Sequence, residues 1–450
     1  MSSPNTGKKK SAKAGPETLK LTIDSLDDNG IGRARHGERT ALVQGAFPGE
    51  TVIAAVEHSG RSHIYTSLRK VLRQSPQRTA QTHCDLEQDC LGCPLIGLQY
   101  PAQLAFKQER VSRALQEQNL TALAVPAVSA SDPPFGYRAS AKLAISRQRG
   151  RVSIGLYRRG SHEVVHCPAC PVHHPLINRI VALVSAEVQR QNISVYNANR
   201  RRGALRYLLV RVSPTNGKAL VTFVSGFRDQ QQLPKLAKWL RRKVPEVIGV
   251  HQNINASSGN VILGQETQKL LGLPDLIEQV GDIRLRMAPE SFFQVNTLQA
   301  ARIYALIRAW AALKPSDSAI DLYCGIGGIA LHLARDAGRV NGIEYSRQAV
   351  RNATENAALN QLTNCHFSVG DATEELLKLQ LKEARPALIS LNPPRKGCPE
   401  ELLQHICRLA PNKIIYLSCD PDSLARDLRL LVDHGYRIER LQPVDMFPQT

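Results

Sequence analysis

Cys419 lies just beyond the last apolar strand that the sequence predicts, in the segment KIIYLSCDP at residues 413–421. Ligands of an open parallel sheet bind at the carboxyl ends of its strands. A thiolate in that place can add to C6 of a uracil ring, after which C5 is nucleophilic enough to attack the methyl group of a sulfonium. Because a lone cysteine at a strand end more often serves packing, the neighbouring motifs must decide between the two roles.

The segment NPPRKG at residues 392–397 follows the preceding predicted strand and would meet Cys419 at the same edge of the sheet. The Asn392 amide and the fixed Pro-Pro backbone are suited to hold a uracil ring or a cofactor. Enzymes that methylate amino nitrogens carry an aromatic residue after Asn-Pro-Pro, whereas position 395 is arginine here. Together with Cys419, this arginine favours methylation of carbon over methylation of nitrogen.

The segment DLYCGIGG at residues 321–328 turns from a predicted strand into a helix, and Glu344 ends the next strand. Glycines let the backbone approach a ligand, and an acidic side chain at that strand end accepts hydrogen bonds from ribose hydroxyls. A dinucleotide could use this geometry, but the turn lacks the G-x-G-x-x-G pattern that holds a pyrophosphate, and an adenosyl sulfonium has none to hold. Asp371, after the third strand, fits either a contact with an adenine amino group or the cap of a turn.

A group of cysteines has the spacing of a metal site. Cys84, Cys90 and Cys93 are close in the sequence, and Cys167 and Cys170 follow much later. Disulfides are rare in a reducing cytosol. Three close thiols and a distant fourth satisfy four-coordinate binding of zinc or of an iron–sulfur cluster. The spacing does not choose between these metals, and accidental clustering of structural cysteines is a third interpretation.

The elements that position these motifs form three regions. From Ala319 onward apolar strands alternate with helices, which predicts a parallel, doubly wound sheet. Residues 16–75 alternate apolar and polar positions in short runs, which predicts a small barrel of the oligonucleotide-binding type. Between them the pattern is mixed, with a helix predicted over residues 101–118 and strands over 204–212 and 219–224. The barrel would carry a basic face of Arg33, Arg35, Arg39, Arg61, Arg69, Lys70 and Arg73.

Charge and composition limit the possible partners. The length of 450 residues predicts two to four domains, and the apolar content of 42% indicates that they are folded. The net charge of +19 predicts a polyanionic partner. The sequence contains no apolar run of about 18 residues and no lipidation motif, so we expect no membrane association. The first 15 residues lack the apolar core of a signal peptide, which predicts a cytoplasmic protein. Two basic segments, the arm at residues 1–15 and the stretch Tyr196 to Gly203, could each face phosphates or be ordinary solvated surface.

Together these motifs resemble the RNA (uracil-5-)-methyltransferase family, whose members modify transfer RNA and 23S ribosomal RNA. The resemblance covers nearly the whole chain and includes SFFQVN at residues 291–296 and VDMFP at residues 444–448. The presence of both a barrel and a cysteine cluster points to the 23S ribosomal RNA branch, with the transfer RNA branch as the alternative.

The resemblance implies a fold, a cofactor and a set of site residues. The fold is α/β and multidomain: after the disordered arm at 1–15 come an N-terminal OB-like β-barrel of the TRAM type at 16–75, a central mixed α/β domain with the iron–sulfur cluster at 76–285, and a C-terminal Rossmann-like S-adenosylmethionine methyltransferase domain at 286–450. We expect a monomer with RNA as its partner. The family positions match Cys84, Cys90, Cys93 and Cys170 as ligands of a [4Fe–4S] cluster, Gln294, Tyr323, Glu344, Asp371 and Asn392 as contacts of S-adenosyl-L-methionine, and Cys419 as the nucleophile.

The sequence departs from the family pattern at three places. Asn392 stands where many members have aspartate, and Asp420 replaces the more usual asparagine. The family's proton-removing glutamate would lie beyond Thr450, which predicts slow release of product unless another residue, with Asp445 the first candidate, acts as the base. The alternative from another class is an RNA-binding or RNA-chaperone protein with an idle methyltransferase fold.

Overall fold

The computed structural model describes residues 17–450 with the exception of 82, 91, 159–160, 162, 198–201, 258, 260 and 381–384, and it leaves out the side chains of 379 and 380. The predicted basic arm at 1–15, and most of the arginines in the predicted basic stretch, therefore lie outside the described residues. The chain divides into two compact units. One comprises the residues up to Gln99 together with Thr450, and the other comprises Tyr100–Gln449.

The first unit contains one six-stranded sheet. Its strands pair in the order β1-β5-β6-β4-β3-β2, with β4 and β6 parallel and the other pairs antiparallel. Buried and exposed residues alternate in β1, so that Leu19 and Leu21 enter the core. The strands are β1 (Thr18–Thr22), β2 (Ser25–Leu26), β3 (Gly32–His36), β4 (Arg39–Gln44), β5 (Thr51–Ser59) and β6 (His63–Arg73).

The second unit begins with a helix and a seven-stranded sheet. The order of this sheet is β13-β12-β11-β10-β7-β8-β9. Two helices, α2 and α3, bury their apolar stripes against one face of it, and each fully buried aliphatic side chain there contributes roughly 1.5–3 kcal/mol. The elements are α1 (Tyr100–Glu117), β7 (Ser140–Gln148), β8 (Arg151–Tyr157), β9 (Val164–His166), α2 (Pro175–Arg190), β10 (Leu205–Ser213), β11 (Lys218–Ser225), α3 (Gln232–Lys243), β12 (Val247–Ile254) and β13 (Glu266–Gly272).

A short hairpin leads into a five-stranded sheet that is parallel throughout. The hairpin is β14 (Leu276–Val280) and β15 (Ile283–Met287), and α4 (Thr297–Ala311) follows it. The parallel strands lie in the order β18-β17-β16-β19-β20, so the first strand is central. The elements are β16 (Ser318–Leu322), α5 (Gly328–Leu333), β17 (Arg339–Glu344), α6 (Arg347–Leu359), β18 (Cys365–Val369), α7 (Ala372–Gln380), β19 (Leu388–Leu391), α8 (Glu400–Leu409), β20 (Lys413–Tyr416) and α9 (Pro421–Asp433).

The chain is thus a mixed α/β protein with several sheets. Of the helices in the described part of the chain, none combines the length and the apolar character that crossing a membrane requires.

Candidate cofactor and nucleophile site

Most of the predicted site residues follow the carboxyl ends of strands in the parallel sheet. Leu322, the last residue of β16, pairs with Ile343 on one side and with Leu391 on the other, and Leu391 pairs with Tyr416. The strand ends are therefore level, and the residues after them share one edge. At this edge lie Glu344, the last residue of β17, and Tyr323, Asp371, Asn392 and Cys419, which follow β16, β18, β19 and β20 respectively.

The turn between β16 and α5 depends on its glycines. Gly327 has φ +89° and forms the N-cap of α5, a conformation that side chains rarely adopt. A Cβ on Gly327 would also lie 3.1 Å from the Phe367 ring. Both its backbone conformation and its close packing against Phe367 therefore require glycine at position 327.

Asp321 lies fully buried beneath this turn. Its Oδ1 accepts a hydrogen bond from the Ser390 hydroxyl at 2.6 Å, and its Oδ2 accepts one from the Ala330 N–H at 3.0 Å. Burial raises the pKa of the Asp321 carboxyl to about 7, and the Glu344 charge adds to the effect. Asp321 thus links β16, β19 and α5 from within the core, and its role is structural.

Glu344 connects the glycine turn to the next helix. One carboxylate oxygen accepts the Gly325 N–H at 3.2 Å, and the other accepts the Ser346 N–H at 2.9 Å. Ser346 in turn caps α6. A carboxylate has about four acceptor positions, so lone pairs remain for the two hydroxyls of a ribose.

Tyr323 is half-buried with φ +61°, in the left-handed region that non-glycine residues seldom occupy. Burial raises the pKa of its phenol, and nearby negative charge together with a hydrogen bond to the Cys398 side chain raises it further. The phenol is therefore neutral at physiological pH.

Asn392 and Cys419 follow adjacent strands. The Asn392 N–H points to the Leu322 carbonyl at 3.4 Å, and the Leu417 N–H donates to the Leu391 carbonyl at 2.8 Å. Cys419 is exposed. Asp420, one of the departures from the family pattern, caps α9 by accepting the Ser423 N–H at 2.9 Å, a role that aspartate and asparagine fill equally well.

Asp371 is exposed and caps α7, since its Oδ1 accepts the N–H groups of Thr373 at 2.8 Å and Glu374 at 3.4 Å. The structure thus contains the turn cap that was one of the two interpretations of this residue. Asp445, the candidate replacement base, is buried in an ion pair with Lys107 at 2.7 Å and accepts a hydrogen bond from the Tyr100 hydroxyl at 2.9 Å. These contacts give Asp445 a structural role.

Gln294 is half-buried in the segment between β15 and α4. Ser291 anchors this segment by accepting a hydrogen bond from the Asn352 amide of α6 at 2.8 Å, while its carbonyl accepts one from the Arg211 guanidinium of β10. Among the described residues, Gln294 makes no hydrogen bond to the five residues at the sheet edge.

The predicted cluster ligands are divided between the units. Cys84, Cys90 and Cys93 are half-buried in the first unit, and Cys170 is half-buried in the second. A hydrogen bond with Cys167 lowers the pKa of the Cys170 thiol, and His173 adds to the effect. Four thiolates suit iron–sulfur chemistry, but across the described residues no three His, Cys, Asp or Glu side chains are arranged to hold a metal.

Comparison with known proteins identifies the family. The sequence profile described as tRNA (Uracil-5-)-methyltransferase matches residues 99–450. An uncharacterized RNA methyltransferase of Geobacter sulfurreducens is 44% identical, covering 97% of this chain and 90% of the relative. One from Gloeobacter violaceus is 36% identical, covering 96% and 94%. The chain belongs to the tRNA (uracil-5-)-methyltransferase family. The predicted family and the predicted enzyme class, RNA (uracil-5-)-methyltransferase, are confirmed.

A solved structure shows the same fold. The tRNA (uracil-54, C5)-methyltransferase of Pyrococcus abyssi, in complex with S-adenosyl-L-homocysteine, is 25% identical with a TM-score of 0.78, and the match covers 96% of this chain and 97% of that one. The predicted α/β multidomain methyltransferase fold is confirmed at this level. The motifs did not indicate the interaction of Tyr323 with Cys398 or the hydrogen bond between Arg211 and Ser291. In each pair the two residues are far apart in the sequence.

Proposed function

We propose that this protein transfers a methyl group from S-adenosyl-L-methionine to C5 of a uridine in RNA, with Cys419 as the nucleophile. The observation that carries the proposal is the position of an exposed cysteine at the same sheet edge as a glycine turn and an acidic strand end. Membership in the uracil-5 methyltransferase family supports the choice of base. The solved relative binds the demethylated product of this cofactor, which supports the choice of methyl donor.

Each residue at this edge of the sheet has a different role in the proposed reaction. S-adenosyl-L-methionine supplies an electrophilic methyl group when bound. Glu344 accepts the ribose hydroxyls, and Asn392 holds the uracil ring or the cofactor. The Cys419 thiolate forms a bond to C6 of the uracil and shifts an electron pair to C5, which takes the methyl group. Loss of the C5 proton to a base then returns the electron pair to the ring and releases the thiolate.

Three further cofactor contacts belong to the proposal: Gln294, Tyr323 and Asp371. The half-buried Tyr323 and Gln294 offer a ring and an amide, and Asp371 keeps one carboxylate oxygen outside its cap contacts. We also propose that the parallel sheet, with its first strand central, is a Rossmann-like methyltransferase domain over residues 286–450, preceded by the central domain at 76–285.

The six-stranded sheet at residues 16–75 is proposed to be an RNA-binding barrel of the TRAM type. Arg33 and Arg35 are exposed on β3. Arg33 pairs with Leu42 of β4, which pairs with Tyr65 of β6. Arg35 pairs with Thr40 of β4, which pairs with His63 of β6. The Tyr65 ring lies 6.1 Å from the His58 ring and 6.5 Å from the His63 ring. Cations beside aromatic rings suit a backbone of phosphates with stacking bases.

The RNA is proposed to be 23S ribosomal RNA, because the sequence combines the barrel with the cysteine cluster. Transfer RNA is the second candidate, since the solved relative that covers nearly the whole chain acts on uracil-54 of tRNA. Ribosomal RNA and transfer RNA isolated from cells with and without this protein, digested and mapped for 5-methyluridine, distinguish the two. In cells without this protein, we expect one or more uridines of 23S ribosomal RNA to lack the methyl group. If only tRNA lacks it, the substrate is tRNA.

A [4Fe–4S] cluster held by Cys84, Cys90, Cys93 and Cys170 remains a proposal, supported by the family resemblance and the thiol spacing. Iron and acid-labile sulfide should each approach four per chain in protein purified without oxygen. Stoichiometric zinc in their place would reject the cluster. Cys167→Ser should retain more iron than Cys170→Ser.

A further inference from the structure

A buried carboxylate that no sequence motif marks lies beneath the predicted site. Asp427 is on α9, the helix that begins two residues after Cys419, and its side chain is 1% exposed. Its Oδ2 accepts the Cys398 N–H at 2.8 Å and the Tyr416 hydroxyl at 2.6 Å. One oxygen atom therefore joins the end of the NPPRKG loop to the last residue of β20.

The second oxygen holds the same loop through an arginine. Asp427 Oδ1 accepts Arg426 Nε at 2.9 Å and Nη2 at 2.6 Å, and Arg426 Nη2 also donates to the Lys396 carbonyl at 2.9 Å. Hydrogen bonds to an ionised group are shorter and roughly twice as strong as neutral ones. The loop is thus fixed to α9 on both sides of Gly397.

Gly397 gives independent evidence that this approach is close. Its φ is +77°, and a Cβ built there would lie 2.6 Å from Asp427 Oδ2 and 2.5 Å from Arg426 Nη2. Real Cβ contacts are longer, so any other residue would displace the carboxylate or the loop. The glycine of NPPRKG is therefore explained by Asp427 rather than by a ligand.

The contacts also reach the cofactor turn. The Tyr416 hydroxyl lies 3.6 Å from Cys398 Sγ, and the nearby Tyr323 phenol lowers the pKa of the same thiol, against the larger effect of burial, which raises it. Hydrogen bonds therefore connect Asp427 with Cys398 and Tyr416, and the Cys398 side chain interacts with Tyr323, which directly precedes the glycine turn.

We propose that Asp427 is a positioning residue that sets three segments of the site in register: the NPPRKG loop with Asn392, the strand end that leads to Cys419, and the Tyr323 ring. The proposal rests on the proposed function, because it assigns these segments to cofactor and uracil. Asp427 acts through the segments it holds. A misplacement of about 1 Å can cost about a hundredfold in rate, which sets the size of the expected effect.

Asp427→Asn tests the proposal. Both carboxylate oxygens of Asp427 accept hydrogen bonds, whereas the asparagine amide has only one oxygen that can accept them. We expect kcat for methyl transfer to fall 10- to 100-fold and the Kd for S-adenosyl-L-homocysteine, measured without RNA, to rise at least fivefold. The Kd for RNA should stay within twofold. The matched control is Asp433→Asn on the same helix, whose carboxylate is exposed and pairs with Arg429, and it should match wild type in all three measurements.

A residue that only stabilised the fold would lower the melting temperature and leave the two constants unchanged, and that result overturns the proposal. If the Kd for RNA rises as much as the Kd for S-adenosyl-L-homocysteine, the proposal is also overturned, because the substitution then affects the whole protein. If Asp427→Asn does not fold, Tyr416→Phe removes one contact and should still reduce kcat about threefold; an unchanged kcat then rejects the proposal. Should wild-type protein bind S-adenosyl-L-homocysteine but methylate no uridine, the proposed function fails, while the cofactor affinities still test Asp427.

Discussion

At the scale of single residues, exposure separates Cys419 from three buried cysteines, Cys324, Cys365 and Cys398. Burial raises the pKa of Cys365 to about 12 and that of Cys398 to about 11, and it raises the pKa of Cys324 as well. Since the thiolate is the nucleophile, these three thiols stay protonated and unreactive at neutral pH. Cys419 alone among the four is exposed.

This difference predicts selective alkylation. Limiting iodoacetamide at neutral pH should modify Cys419 at least tenfold faster than Cys324, Cys365 or Cys398, as measured by peptide mass spectrometry over time. Modification of Cys324 or Cys365 at a comparable rate in folded protein would contradict the assigned burial and weaken the choice of Cys419.

Asp321 predicts a pH dependence of stability. Its pKa is raised to about 7 in the folded protein, so the native state keeps a proton that the unfolded chain loses near pH 4. The stabilisation is fully present below pH 4 and is lost as the pH rises towards 7. At 1.36 kcal/mol per pKa unit, its upper bound is about 4 kcal/mol.

Asp321→Asn should therefore flatten the fall in stability between pH 4 and pH 7, as measured by urea denaturation at several pH values. Asp433→Asn, at an exposed position, should keep the wild-type slope. If the free energy of unfolding falls equally steeply with pH in wild type and in Asp321→Asn, the Asp321 carboxyl is already ionised at low pH.

At the scale of elements, contacts between distant segments stabilise the site. The pair Arg110–Asp422 joins α1 to the first turn of α9, with N–O distances of 2.7 and 2.6 Å. Lys107 of α1 reaches Asp445 at 2.7 Å. Through these two contacts, α1 supports both the helix that follows Cys419 and the segment near the chain end.

Asp445→Asn should lower the free energy of unfolding by about 3–5 kcal/mol, the usual cost of leaving one partner of a buried ion pair unpaired. Burial already lowers the pKa of Lys107, and without the carboxylate it should fall further. Thermal unfolding and single-turnover methyl transfer should be measured together. A stable variant that accumulates the methylated covalent adduct would instead make Asp445 the base.

The sequence predicted the strands of the parallel sheet well, because each is a short apolar run before a turn. The helix predicted at 101–118 is α1, and the strand predictions at 204–212 and 219–224 correspond to β10 and β11. It did not predict β7, β8, β9, β12, β13 or the hairpin β14–β15. In β12 the buried polar residues His251, Gln252 and Asn253 break the apolar pattern. It also could not predict Asp427, because only the folded chain brings α9 under the NPPRKG loop.

At the scale of the whole molecule, the net charge of +19 should make RNA binding depend strongly on salt. Each phosphate contact contributes a log–log slope of roughly −0.7 for single strands. Arg33→Gln with Arg35→Gln removes two exposed cations and should reduce the slope by roughly 1.4 while leaving cofactor affinity unchanged. An unchanged slope, measured by titration at several salt concentrations, would show that this face of the six-stranded sheet does not contact RNA.

We propose that Cys419 activates a uridine for methylation at C5. The most direct measurement is transfer of a labelled methyl group from S-adenosyl-L-methionine to RNA by wild type and by Cys419→Ala, with the product base identified by mass. We predict 5-methyluridine from wild type, and no detectable transfer from a Cys419→Ala protein that still binds S-adenosyl-L-homocysteine and RNA. Substantial formation of 5-methyluridine by Cys419→Ala, or a methylated base other than uridine from wild type, would contradict the claim.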